Sequence, residues 1–148
     1  MSNDKLNKNT DELEQELREA PSFDAFAAEM DERFLAGEVG RDLSALIKSR
    51  KIKKSELFAA ANIHENYGYQ LLNGTRYPSR EVLLSIFLSM QMSYEEVNLF
   101  LRTHGFTPLY VRRKFDAAVI YCLMHGFSAM KCNELLFEEG LPLLTKEK

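Results

Sequence analysis

Between Lys51 and Arg80 the chain interleaves cations with carboxamides, phenols and hydroxyls, a mixture suited to a polyanion that also presents hydrogen-bonding edges. Lys51, Lys53, Lys54, Arg76 and Arg80, with the hydroxyls of Ser55 and Thr75, are candidate phosphate contacts. His64, Glu65, Asn66, Tyr67, Tyr69 and Gln70 are candidate base contacts, because they fall in the first turns of a short predicted helix. Asn66 and Gln70 carry the sharpest chemistry: a carboxamide pairs with adenine through two hydrogen bonds, a contact worth about 1–3 kcal/mol of discrimination. Tyr67 and Tyr69 can touch thymine methyls or phosphates, or one of them can be half-buried against the core. The bland counterparts are a solvated basic loop for the cations and ordinary solvent-facing polar residues for Asn66 and Gln70.

The overall formal charge of −3 argues against a nucleic-acid binder until it is divided along the chain. Residues 1–40 hold 4 basic and 11 acidic side chains, residues 41–80 hold 8 and 3, and residues 81–148 hold 7 and 8. The basic excess is therefore concentrated around the candidate contacts, which is what binding to phosphates requires.

Catalysis finds little support. Only three histidines are present, and His104 and His125 each precede a glycine, where an imidazole meets the negative end of a helix dipole and its free carbonyls. No phosphate-cradling glycine loop, zinc-protease helix, nucleophile elbow or calcium loop occurs, so no catalytic residue is assigned. Cys122 and Cys132 lie in apolar helical sequence and read as buried hydrophobes of a reducing compartment. Together with His125 they make an incomplete ligand set lacking a fourth member, so neither a metal nor a cofactor is expected.

The elements that must position these residues are helices. Ser22 opens a helix with Phe23, Phe26, Ala27, Met30 and Phe34 at helical spacing, which Gly37 and Gly40 are expected to end. From Asp42 the stripe Leu43, Leu46 and Ile47 leads to the basic segment Lys48–Lys54. A helix starting at Ser55 or a neighbour carries Leu57, Phe58, Ala60 and Ala61, and Asn62 is a plausible left-handed exit before the apolar Ile63. His64–Asn73 forms the next, short helix, stopped by Gly74 and Pro78. Ser79 caps a strongly apolar helix through Met90, placed at the centre of the core. Ser93 and Glu96 read as a capping box. The phrases His104-Gly105-Phe106, His125-Gly126-Phe127 and Glu139-Gly140-Leu141 read as repeated helix stops, enclosing helices around Lys114–Met124 and Ala129–Glu138. No segment alternates with period two between turn signals, so no strand is expected.

Two short helices joined by a tight turn over residues 53–79 make a helix-turn-helix arrangement. The stretch from Leu43 to Asn98 resembles the Xre-type, lambda-repressor-like domain. Leu57 and Phe58 stand at the family's leucine-plus-small pair, where alanine is usual at the second place. The larger ring implies a smaller partner, and Gly68 occupies the position such a ring would approach. Gly74, Thr75, Arg76, Tyr77, Pro78 and Ser79 match the family's glycine, basic residues, proline and capping hydroxyl. The sequence Tyr67-Gly68-Tyr69-Gln70 through Gly74, Arg76, Pro78, Ser79 and Arg80, with Asn133-Glu134-Leu135-Leu136, is similar to a group of short regulators from Clostridium-like bacteria. The resemblance implies an all-α, lambda-repressor-like helix-turn-helix bundle with extra C-terminal helices that regulates transcription by binding double-stranded DNA.

The expected organisation is an acidic, disordered or frayed tail over residues 1–21, a helix over 22–38, the DNA-binding unit over 39–105, and a C-terminal extension over 106–144. That extension would complete the core and form a dimer surface, since one short helix reads few base pairs and such proteins pair on two half-sites. Arg112, Arg113 and Lys114 either add phosphate contacts or form a solvated helix start. The acidic segment either competes with DNA for the basic surface or solubilises the chain. The rival class is a protein-interaction module, such as an antitoxin or adaptor, on the same fold without DNA binding. A polar start and no membrane-length apolar run point to a cytoplasmic protein.

Overall fold

Serine hydroxyls begin four of the helices. The amide N–H groups of Ala25, Val82, Glu96 and Lys131 donate to Ser22, Ser79, Ser93 and Ser128 Oγ, each at 3.1 Å. Glu96 returns the favour by accepting from the Ser93 N–H at 2.9 Å, which completes the capping box. That hydrogen bond, reinforced by Arg50 2.6 Å away, holds the Glu96 carboxyl below the ordinary glutamate value.

The computed structural model describes residues 10–30 and 35–145, and among them every regular element is helical. In chain order these are α1 (Thr10–Glu19), α2 (Phe23–Met30), α3 (Leu35–Ser49), α4 (Lys54–Ala60) and α5 (Glu65–Leu72), then α6 (Arg80–Ser89), α7 (Tyr94–Thr103), α8 (Lys114–Met124) and α9 (Ala129–Glu138). No helix among the described residues is long and apolar enough to cross a membrane.

Most helices end in one device. The residue after the last turn takes a left-handed conformation, and the next amide donates back to the carbonyl five residues earlier. It occurs at Gly105, Gly126 and Gly140 (φ 80°, 66° and 71°), where Phe106, Phe127 and Leu141 donate to Leu101, Cys122 and Leu136 at 2.8–2.9 Å. The same bond forms where no glycine announces it. Lys51, Asn62 and Gln91 hold φ of 57°, 59° and 59°, and Ile52, Ile63 and Met92 donate to Ile47, Phe58 and Phe87. The apolar residue that folds back in each case is buried or half-buried, and that burial offsets the roughly 1–2 kcal/mol a β-carbon costs in this conformation.

The core centres on α6, whose residues Leu83 to Leu88 are all buried. Ser85 is buried there by donating its hydroxyl to the Ala61 carbonyl at 2.7 Å, which ties α6 to the end of α4. α8 and α9 pack on one another and on α6, burying Val119, Ile120, Cys122, Cys132 and Leu136. The extension thus completes the core. Cys122 and Cys132 are buried free thiols; a hydrogen bond from one to the other, together with burial, pushes the Cys132 thiol up.

Two expectations about the first half need correction, and the acidic segment takes one of its two expected forms. Gly37 and Gly40 do not end a helix: both lie inside α3, so the division between residues 38 and 39 falls mid-helix. Gly40 is there because α5 crosses so closely that a β-carbon would stand 2.6 Å from the Leu72 carbonyl oxygen. Phe23 leaves the apolar stripe of α2 and is 67% exposed, whereas Phe26 and Met30 are buried; Phe34 lies outside the described residues. Within the acidic tail, residues 10–19 form α1, which buries no residue; residues 1–9 lie outside the described residues.

Two polar side chains have internal duties. His104 is 1% exposed, and its Nε2 lies 2.7 Å from Asp42 Oδ2 on α3, a cross-helix partner rather than the end of its own helix. Arg80 does not face a phosphate. Its guanidinium forms a two-pronged pair with Asp116 of α8 (3.1 and 3.0 Å) and donates to the Thr107 and Pro108 carbonyls at 2.8 and 3.1 Å. Asp116 also accepts from the Tyr110 N–H at 3.0 Å, so one ion pair fastens the loop between α7 and α8 to the start of α6. The carboxylate is 3% exposed and the guanidinium 17%. Removing one partner of such a pair strands a buried charge, so Arg80→Ala is expected to lower stability by about 3–5 kcal/mol, read as a fall in the urea midpoint.

Candidate nucleic-acid interface

α4 and α5 are joined by four residues, Ala61 to His64. The left-handed Asn62 reverses the chain, and Ile63 tucks under it at 8% exposure. Lys53 is the residue that caps α4, with no side-chain hydrogen bond, and Ser55 is half-buried in its first turn. α5 begins at His64, whose Nδ1 accepts from the Asn66 N–H at 3.3 Å. It is capped by an imidazole in place of the usual short side-chain oxygen.

The inner face of α5 rests chiefly on α3 and α4. Leu71 is fully buried, and Gly68 lies flat against the ring of Phe58. A β-carbon at position 68 would stand 2.6 Å from two ring carbons, so the large ring on α4 and the absent side chain on α5 are one fit. Tyr69 adds an edge-on contact to the same ring at 5.4 Å, leaving it 40% exposed. Tyr67 is half-buried against the core and Gln70 is half-buried.

The outer face of α5 is open. His64, Glu65 and Asn66 are exposed across its start, and neither α8 nor α9 is among its chief neighbours. Arg76, on the loop that follows, returns to this helix: its guanidinium lies over the Tyr67 ring, 5.8 Å from the centroid. That loop is held by the Gln70 carbonyl, which accepts from the Thr75 and Arg76 amides at 3.0 and 3.2 Å, and by Asn73 Oδ1, which accepts from Thr75 at 2.9 Å. Thr75 itself is exposed.

Lys51 and Lys53 are exposed on the connection from α3 to α4, and Lys54 is exposed at the first position of α4. Arg50 beside them is engaged by Glu96. Arg112 and Arg113 are exposed at the start of α8, whereas Lys114 pairs with Glu139 at 3.2 Å. Of the thirteen candidates, Arg80 alone is spent on a buried ion pair, while Ser55, Tyr67 and Gln70 are half-buried. Asp116, the partner of Arg80, is the site neighbour that the sequence reading missed. The available signal was a single carboxylate at the head of the otherwise apolar stretch from Phe115 to Met124.

No known family model, no curated protein and no solved structure matches this chain. The geometry therefore stands without a relative to supply its meaning.

Gly68→Ala is expected to destabilise the chain although alanine is the better helix former by about 1 kcal/mol, because the new methyl meets an immobile ring. Adding Phe58→Ala should recover part of that loss. A double-mutant cycle in urea should give a coupling of about 0.5–3 kcal/mol, and strict additivity would refute the contact.

Proposed function

We propose that this chain is a sequence-specific DNA-binding regulator of transcription, built as a lambda-repressor-like helix-turn-helix protein. The observation that carries the reading is the open outer face of α5, polar in its first turns and flanked by the exposed Lys51, Lys53 and Lys54 and by Arg76 over Tyr67. In this reading α4 crosses the DNA backbone, directing Lys53, Lys54 and its N-terminal amides at phosphates, while α5 enters the major groove. His64, Glu65, Asn66 and Tyr69 face base edges, and Gln70 reaches them from the flank. Arg76, steadied on Tyr67, and Lys51 hold the phosphates on either side. Arg80 drops out of the clamp and serves it indirectly, by fixing the start of α6.

An eight-residue helix spans roughly 12 Å, which covers only a few base pairs, so the reading includes a homodimer on paired half-sites. The local positive charge supplies affinity for any duplex; α5 supplies the choice among duplexes.

The test is selection of bound duplexes from a random pool, repeated with Gln70→Ala and Arg76→Ala. A motif should emerge that Gln70→Ala relaxes at one position, with a cost of about 1–3 kcal/mol there. Arg76→Ala should weaken all sequences alike and lower the slope of log affinity against log salt by about one. Lys51→Gly should lower that slope similarly while stability holds or rises, since glycine relieves the left-handed strain at φ 57°. No enrichment and no salt-dependent affinity would refute the proposal.

A further inference from the structure

The C-terminal helices do more than finish the core. On the far side of α4, against α9 and the last described residues, lies an open groove of about 860 Å³. Its floor is the exposed pair Ala59 and Ala60, small side chains that let another backbone come close. Its walls carry Phe137 and Met130, which are 75% and 70% exposed and are the two most exposed residues of their kind in α9, with Leu143 beside them. Apolar side chains that stand out into water in a row, rather than scattered singly, mark a surface that another molecule covers.

Shape and charge narrow the occupant. Met130 and Phe137 are seven residues apart on one helix, so the apolar walls run for roughly 10 Å, two helical turns. That length matches the apolar residues at i, i+3 or i+4, and i+7 of an amphipathic helix laid into a groove. The only ionisable side chains lining it are Glu134 and Glu138, and neither is paired with a cation among the described residues. A second copy seated symmetrically would bring these carboxylates against their own counterparts, whereas a basic partner would neutralise them. The polar end is preset: Asn62 Nδ2 donates to Thr145 Oγ1 at 3.1 Å, and Asn133 Oδ1 accepts from the Leu144 N–H at 2.8 Å, so residues 144–145 form a fixed wall.

We infer that the groove between α4 and α9 is a docking site for a basic amphipathic helix of a partner protein. Phe137 and Met130 enter its apolar face, Ala59 and Ala60 admit its backbone, and Glu134 and Glu138 meet its lysines or arginines. No residue of α5 and none of the candidate DNA contacts lines the groove, so its occupation and DNA binding use different side chains of one chain.

The experiment titrates the full chain into a fluorescent leucine–lysine amphipathic peptide about 14 residues long, enough to be helical once docked. A leucine–glutamate peptide of the same apolar pattern is the control, and binding is read by anisotropy. The lysine peptide should bind and the glutamate peptide should not. Phe137→Ala and the pair Glu134→Lys with Glu138→Lys should each weaken binding about tenfold or more, as loss of a central anchor does. These side chains are exposed, and circular dichroism should show unchanged helix content in both variants. Equal binding of the two peptides, no binding of the lysine peptide, or wild-type affinity in both variants would overturn the proposal. So would sedimentation showing a dimer of the chain that Phe137→Ala dissociates, because a second copy would then own the groove. The duplex selection reads a different surface, so the failure of either experiment leaves the other interpretable.

Discussion

The ring of Phe58 occupies the place where a side chain at position 68 would stand, and the carbonyl end of α5 occupies the place of a side chain at position 40. These two contacts seat α5 on α4 and on α3, both at backbone distance. A short helix has little intrinsic stability, so its orientation comes from what it rests on. With the inner face locked by Gly40, Phe58, Gly68 and Leu71, the outer residues are determined in turn. Rotating α5 to offer another face would drive a side chain into the Phe58 ring or lift Leu71 out of the core. Under the proposed DNA-binding reading that rigidity matters, because base recognition tolerates little angular error.

The rest of the molecule keeps the seat in place. α6 is buried along most of its length and holds the end of α4 through Ser85, while Arg80 and Asp116 bind the start of α6 to the loop entering α8. A charged pair at this depth is a costly way to join two elements. Here both prongs are made, and two further carbonyls and one amide complete the partners, which is the condition under which such a pair is tolerated. The C-terminal helices complete the core with one face. They leave Met130 and Phe137 outward on the other.

Much of the secondary structure was determined by the sequence. The helices, the capping serines and the three glycine stops were legible because each rests on local chemistry: side-chain periodicity, a hydroxyl at the first turn, a residue free of a β-carbon. The Phe58 and Gly68 fit was legible through the resemblance, since a ring where that family usually carries alanine implies a smaller partner on the neighbouring helix. The same local logic misread Gly37 and Gly40 as a stop, because a glycine that ends a helix and one that admits a neighbouring backbone look identical until the neighbour is placed. It also missed the stops at Lys51 and Gln91, where burial of the following Ile52 and Met92 carries a conformation their own type disfavours.

For the candidate site, residue types and charge distribution were set by the sequence, and twelve of the thirteen positions remain at or near the surface around α4 and α5. What only tertiary structure decided was direction. Arg80 has the same chemistry as Arg76 and lies four residues away, yet one guanidinium closes on a buried carboxylate and the other lies over a tyrosine ring facing out. The difference is Asp116, far along the chain and brought near only when α8 packs against α6. Local sequence fixes what a side chain can do; which partner reaches it first is settled by packing, because electrostatic pairing depends on distance in space and not along the chain.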